Sequence, residues 1–127
     1  MTVGVQTVHP HTSLRDAHAR MRFSGFRHLP VVDERQHLVG IVAASDIKAA
    51  WGRGFDGRCD EVMTSRTSAV HPDAPVREAI ARMLADDVRS LPIVNADNRV
   101  VGIMTTTDLL QLAYRALIVQ EYVSAGQ

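Results

Sequence analysis

The chain has 127 residues, of which 46% are hydrophobic, and its fourteen basic side chains balance fourteen acidic ones. This length and apolar content suffice for one compact core, and the zero formal charge argues against a nucleic-acid partner, because binding to phosphates requires a basic surface. No apolar run approaches a membrane span and no basic-then-apolar leader opens the sequence, so we expect a cytoplasmic protein without membrane insertion. The single cysteine, Cys59, has no internal disulfide partner and fits a reducing compartment.

The first part of the chain predicts a strand followed by an amphipathic helix. Residues 3–8 form a loosely alternating apolar stretch that ends at His9-Pro10, and residues 11–13 offer a polar helix start. The apolar face of the helix consists of Leu14, Ala17, His18 and Met21. We interpret His18 as a residue at the edge of the core, because a lone histidine on an apolar face more often fills a structural place than binds a ligand.

A hairpin and a second helix follow. Residues 27–32 and 38–42 predict two antiparallel strands joined by the polar turn 33–36, and a helix opens near Ser45-Asp46. The same order of elements then returns with an offset of 62 residues, so that Gly40 corresponds to Gly102. Eighteen of the fifty aligned positions carry the same residue, which indicates an internal duplication whose two copies share one core.

The start of the last helix in each copy carries the most distinctive chemistry. Thr105, Thr107 and Asp108 follow a buried strand, so that hydroxyls, a carboxylate and the free N–H groups of a helix start converge. These groups suit the phosphate and ribose of a nucleotide. Alternatively, Asp108 is only a first-turn acid favoured by the helix dipole. Likewise, Gly102 is either a bulge residue or a place where a ligand approaches the backbone.

Composition also predicts how the two copies are joined and how the chain ends. We assign the first repeat to residues 1–51, a glycine-rich linker to 52–61, the second repeat to 62–113 and a C-terminal helical extension to 114–127. The last helix is apolar on more than one side, which is more apolar surface than one small domain can cover. We therefore expect a homodimer formed through helices that include residues 109–123.

Catalytic and metal-binding motifs are weak. His9 and His11 could bind one ion together, but no cysteine or acidic cluster accompanies them, and Asp73 replaces His11 in the second copy. No nucleophile elbow, Walker loop or HExxH motif occurs, and Cys59 has no adjacent base. We expect no metal site and no enzymatic activity.

The ordered set of motifs resembles a known family. Two copies of strand, helix, Leu-Pro-Val-Val-like strand and Gly-Ile-Val-x-x-x-Asp-like strand and turn, separated by a short linker, are similar to a tandem pair of CBS domains, also called a Bateman module. The resemblance implies an α/β (α+β) fold of two β-α-β-β-α repeats with pseudo-two-fold symmetry. It also implies clefts for AMP, ADP, ATP or S-adenosylmethionine as a regulatory ligand, no further cofactor, sensing of nucleotide levels and signalling through an unknown effector protein. The alternative is a ligand-free dimerisation or protein-interaction domain.

The resemblance also assigns roles to individual residues. Asp108 matches the acid that holds ribose, Thr105 a hydroxyl near ribose or phosphate, and Arg89 a phosphate contact. The full set expected in the second cleft is Thr64, Val70, Arg89, Ser90, Leu91, Pro92, Gly102, Thr105, Thr107 and Asp108. The counterparts in the first cleft are Thr2, Arg27, His28, Ser45 and Asp46. Because Ala43 replaces the family's hydroxyl in the first copy, we expect the Asp108 cleft to bind more tightly.

Overall fold

A computed structural model describes residues 2–3, 6–65 and 68–125. Its ten elements occur in two similar series. The first comprises β1 (Thr2–Val3), α1 (Leu14–Ser24), β2 (His28–Val32), β3 (Leu38–Ala43) and α2 (Ala44–Gly52). The second comprises α3 (Cys59–Val62), α4 (Val76–Asp86), β4 (Ser90–Val94), β5 (Val100–Thr105) and α5 (Thr106–Ala125). The predicted α+β class is confirmed.

Local sequence signals explain where α1 begins and ends. The Ser13 side chain accepts a hydrogen bond from the backbone N–H of Asp16, which caps the first turn. Gly25 adopts a left-handed conformation with φ of 81° and donates its N–H to the Met21 carbonyl, which closes the last turn. The buried face of the helix consists of Leu14, Ala17 and Met21. His18 lies half-buried at its edge and packs against the Trp51 ring, with ring centroids 5.0 Å apart.

The two hairpins repeat one turn geometry. In the first, the Asp33 carboxylate accepts the backbone N–H groups of Arg35 and His37, and in the second the Asn95 side chain accepts those of Asp97 and Arg99. Gln36 and Asn98, which are 62 positions apart, both have positive φ. The two turns share this backbone geometry although their residues differ, which is further support for the duplication.

The first residues of each repeat, which we call its lead-in and which include Thr2 and Thr64, pair with the sheet of the other repeat. Strand β1 pairs antiparallel with β5 of the second repeat, and Thr64 bridges Ile41 of β3 through two backbone hydrogen bonds of 2.9 and 3.1 Å. The predicted strand over residues 3–8 is therefore only partly seen. Val8 makes an isolated bridge to Val31, while residues 4 and 5 lie outside the described part of the chain.

Gly40 shows why this crossing needs a small residue. A Cβ placed on Gly40 would lie 2.6 Å from the Met63 sulfur and 2.9 Å from the Thr64 carbonyl oxygen. At Gly40 the chain's own Met63-Thr64 segment makes the close approach that one of the two interpretations of its equivalent, Gly102, gives to a ligand. The first sheet and the start of the second repeat are held together at this point.

Each repeat has its own apolar core, which differs from the single shared core that the duplication predicts, and the linker belongs to the first core. One cluster includes Leu14, Leu29 and Ile47, and the other includes Leu91 and Ile93. Cys59, inside the predicted linker, is fully buried in the first cluster, and its backbone N–H bonds to the Thr12 carbonyl at 2.8 Å. Burial raises the pKa of this thiol to about 11.

None of the described helices combines the length and the apolarity that a membrane span requires.

Candidate functional site

A cavity of about 190 Å³ lies where the two repeats meet, and we call it the inner cavity. Its walls come from β2, β3 and α2 of the first repeat and from the lead-in and β4 of the second. The described residues that line it are His28, Ile41, Ala43, Ser45, Asp46, Thr64, Ser68, Val88, Arg89, Ser90 and Pro92. Apolar side chains and hydroxyls therefore surround one carboxylate, and both repeats are needed to enclose the space.

The two predicted ribose-binding acids have different surroundings. The Asp108 carboxylate accepts the backbone N–H of Thr105 at 2.9 Å, and the Asp108 N–H donates to the Thr105 hydroxyl at 3.2 Å. This reciprocal pair is a capping box, so the hydroxyl and the acid satisfy the helix start. At Asp46, where Ala43 replaces the threonine, no side-chain hydrogen bond is found among the described residues. Its carboxylate is half-buried and available to a ligand.

The structure groups the predicted site residues differently from the two clefts of the sequence-based prediction. Thr64, Arg89, Ser90 and Pro92, which we assigned to the Asp108 cleft, line the inner cavity together with Asp46. The physical reason is that the lead-in of the second repeat pairs with the first sheet, so that Thr64 lies beside Ile41 of β3. For the same reason the Thr2 backbone pairs with Ile103 in the second sheet rather than with the first.

Other predicted site residues lie away from the inner cavity. Val70, which makes an isolated bridge to Ile93, and Leu91 of β4 are buried in the core of the second repeat, at 6% and 0% exposure. Gly102 is buried within β5, and Thr107 is exposed on the first turn of α5. A shallow groove of about 130 Å³ beside Asp108 is lined by Met104, Asp108, Leu109, Gln111, Leu112 and Arg115, without the threonine hydroxyls.

His28 sits at the charged end of the inner cavity. Burial is the main cause that lowers the pKa of its imidazole below 6.5, the nearby Asp46 raises it, and Arg89 and Arg27 lower it further. The imidazole is therefore neutral at pH 7 and can donate or accept a hydrogen bond toward a ligand. One acid and two arginines therefore lie near the same imidazole ring.

A second and larger cavity, which we call the outer chamber, adjoins the inner one. It has a volume of about 750 Å³, and the two spaces share His28, Ala43, Ser45 and Arg89. The remaining residues that line the chamber are His18, Met21, Arg22, Gly25, Phe26, Arg27, Ala44 and Lys48. Among the predicted site residues, Arg27 faces only this chamber.

Sequence reasoning missed several lining residues. Arg22 and Lys48 are separated by 26 positions along the chain and belong to no motif, so nothing local marked them. A comparison of the repeats could have found them, because leucine stands at the equivalent positions 84 and 110. Ile41 and Val88 were also missed, since their apolar character indicates core as readily as a cavity wall.

His9, one of the two histidines that suggested a metal ion, and its equivalent in the second repeat, His71, have other partners. The His9 ring makes a 3.0 Å hydrogen bond to the Val32 carbonyl, and His71 lies 3.6 Å from the Asp73 carboxylate. Within the described ranges, no group of three or more His, Cys, Asp or Glu side chains is arranged to hold a metal.

The chain matches the family model described as "CBS domain" over residues 1–52 and 59–115. Its fold is similar to a putative acetoin utilization protein (AcuB) from Vibrio cholerae, with a TM-score of 0.86, 33% identity, and coverage of 95% of this chain and 92% of that chain. It is also similar to the CBS domain pair of protein MJ0100, solved with 5-methylthioadenosine and S-adenosyl-L-methionine, with a TM-score of 0.81, 29% identity, and coverage of 90% and 93%.

One further solved structure and one longer protein are also similar to this chain. The structure of CBSX2 in complex with AMP has a TM-score of 0.79 and 26% identity, with coverage of 89% of this chain and 90% of that one. A homoserine O-acetyltransferase from Methanohalobium evestigatum is 30% identical over 112 residues, which is 88% of this chain. The chain spans only 23% of the length of that enzyme, so the matching part is a small portion of it.

Proposed function

Because the chain belongs to the CBS domain family, we propose that it is a regulatory module that binds an adenosyl nucleotide in the inner cavity and signals through a partner protein. Structural relatives solved with AMP and with S-adenosyl-L-methionine support this ligand class. If AMP, ADP and ATP are its ligands, the module senses the energy state of the cell. We propose a cytoplasmic location for it. The acetyltransferase activity of the longer relative belongs to that whole protein and is not transferred.

The single observation that carries this proposal is the carboxylate of Asp46. It lies inside a cavity, makes no side-chain hydrogen bond within the described residues, and is surrounded by groups that suit the rest of a nucleotide. A carboxylate can accept hydrogen bonds from both ribose hydroxyls. The apolar side chains of Ile41, Val88 and Pro92 can enclose a purine ring, and Arg89 stands near the place of the first phosphate.

Thermal unfolding in the presence of candidate ligands tests this function. A ligand at a hundred times its dissociation constant stabilises the native state by about 2.7 kcal/mol, which raises the Tm of a chain of this size by roughly 5 to 15 °C. We expect such a rise with at least one of AMP, ADP, ATP and S-adenosylmethionine, and little change with ribose 5-phosphate, which lacks the base. No rise with any of the four adenosyl compounds contradicts the proposal and favours a ligand-free interaction domain.

We also propose that the protein is a homodimer formed through its last helix. From residue 110 to residue 121 every described side chain of α5 is exposed, and many of them are apolar. Leu110 is 71% exposed, Leu117 57% and Val119 62%, and Leu84 on α4 is 77% exposed. An apolar surface of this extent is unusual on a monomer.

Sedimentation at micromolar concentration measures the oligomeric state. We expect a mass of two chains for the wild type and of one chain for Leu117→Glu, because a carboxylate buried in an apolar interface costs several kcal/mol. Gln120→Glu adds the same charge at an exposed polar position of the same helix and serves as the control. A wild type that sediments as a monomer, or a Leu117→Glu variant that remains a dimer, contradicts the proposed interface.

A further inference from the structure

The outer chamber is continuous with the inner cavity, but its lining carries more positive charge. The two are joined through His28, Ala43, Ser45 and Arg89, so a ligand whose nucleoside fills the inner cavity can extend into the chamber. Helix α2 begins at this junction, and the positive end of its dipole favours an anion there. The chamber's volume of about 750 Å³ is much larger than a single phosphate needs.

The charges that line the chamber have one sign. Arg22, Arg27, Lys48 and Arg89 contribute four cations, and none of the described lining residues is acidic. All four side chains are exposed, and no salt bridge to any of them occurs within residues 2–3, 6–65 and 68–125. Among the described residues that line the adjoining inner cavity, Asp46 carries the only carboxylate. The cationic charge of the chamber is therefore not neutralised by the chain itself.

The second repeat provides an internal comparison. With the offset of 62 residues, the equivalents of His18, Arg22 and Lys48 are Ile80, Leu84 and Leu110. These three are 38%, 77% and 71% exposed in the single chain, and Leu84 and Leu110 belong to the apolar surface that we assign to the dimer, so the corresponding surface of the second repeat is apolar. The fold accepts leucine at both helix positions, which means that it does not require Arg22 and Lys48. Their charge in the first repeat calls for a different explanation.

We propose that the inner cavity and the outer chamber together select adenosyl ligands that carry two or three phosphates, with the terminal phosphates held in the outer chamber by Arg22, Arg27 and Lys48. Arg89 and His28, at the junction, face the first phosphate. Arginine and lysine form charge-assisted hydrogen bonds with phosphate oxygens, and each further phosphate adds negative charge among unpaired cations. S-adenosylmethionine, which carries a positive sulfonium and no phosphate, is disfavoured in the same chamber. This inference rests on the proposed function and specifies its ligand.

Calorimetric titration of the full chain with AMP, ADP, ATP and S-adenosylmethionine, without divalent cations, tests the inference. We expect ATP to bind at least about tenfold more tightly than AMP, because its terminal phosphates gain charge-assisted contacts. Arg22→Leu combined with Lys48→Leu copies the second repeat and is expected to reduce the ATP-to-AMP ratio to about threefold or less, with AMP affinity nearly unchanged. Arg82→Leu removes an exposed cation elsewhere and serves as the control.

The outcomes separate this inference from the proposed function. Equal affinities of the wild type for AMP and ATP overturn the phosphate selectivity but leave a nucleotide-binding module in place. A double variant that is folded by circular dichroism and keeps the full preference for ATP also overturns it, because the preference then arises outside the chamber. Binding of S-adenosylmethionine more tightly than ATP has the same consequence. Failure of all four compounds to bind overturns the proposed function as well.

Discussion

Asp46→Ala is expected to lower the affinity for adenosyl nucleotides by roughly a hundredfold. The carboxylate is the only acid that faces the inner cavity among its described lining residues, and it makes no competing hydrogen bond within the described part of the chain. Loss of its charge-assisted hydrogen bonds to two ribose hydroxyls costs about 3 kcal/mol, which corresponds to that factor. Calorimetric titration with AMP measures the change directly.

Asp108→Ala is the matched control, because it removes the equivalent acid of the other repeat. Its carboxylate closes a capping box with Thr105, so the variant should lose about 0.5 to 2 kcal/mol of stability and bind AMP like the wild type. Our expectation from the sequence was the reverse, that the Asp108 cleft binds more tightly. If Asp108→Ala abolishes binding while Asp46→Ala does not, the sequence-based ranking is right and the assignment to the inner cavity is wrong.

Gly40→Ala is expected to destabilise the protein by about 2 kcal/mol and to lower its Tm by roughly 5 to 12 °C. The new methyl group would meet the Thr64 carbonyl oxygen at 2.9 Å and the Met63 sulfur at 2.6 Å. The methionine can move, but the backbone oxygen is held by the hydrogen bond between Thr64 and Ile41. Since Thr64 lines the inner cavity, the same displacement should also weaken nucleotide binding.

Gly52→Ala provides the comparison for the loss of a glycine. No atom lies within 4 Å of a Cβ at Gly52, which ends helix α2, so the substitution should be neutral or stabilising by up to about 1 kcal/mol. Thermal unfolding of both variants measures the difference. A Gly40→Ala protein as stable as Gly52→Ala would show that the lead-in of the second repeat does not press against β3.

The elements of the fold could be predicted from the sequence because their signals are local. Ser13 begins a helix through its side-chain cap and Gly25 ends it through its left-handed backbone, and the turn residues Asp33 and Asn95 close two hairpins of the same geometry. The partners of the lead-in segments could not be predicted in this way. A strand as short as Thr2–Val3 carries no information about which of two similar sheets it joins.

The same limitation explains why the structure groups the candidate site residues differently from the prediction. Several of the predicted polar side chains line one cavity, but the predicted division between two clefts follows the order of the chain rather than the crossing of Thr64. Hydroxyl and acid at positions 105 and 108 indicated a ligand site, although the same two groups also form a capping box. The same residue pattern can cap a helix or bind ribose, so the sequence alone does not distinguish the two roles.

The most direct test of the inner cavity as the binding site is to titrate uniformly ¹⁵N-labelled protein with AMP and to measure the amide chemical shifts. The largest shifts are expected in both repeats at once, at Ser45 and Asp46 of the first and at Thr64 and Ser90 of the second, because these residues enclose one cavity. Shifts confined to residues 105–108, or no shift at saturating AMP, would contradict a shared cleft centred on Asp46.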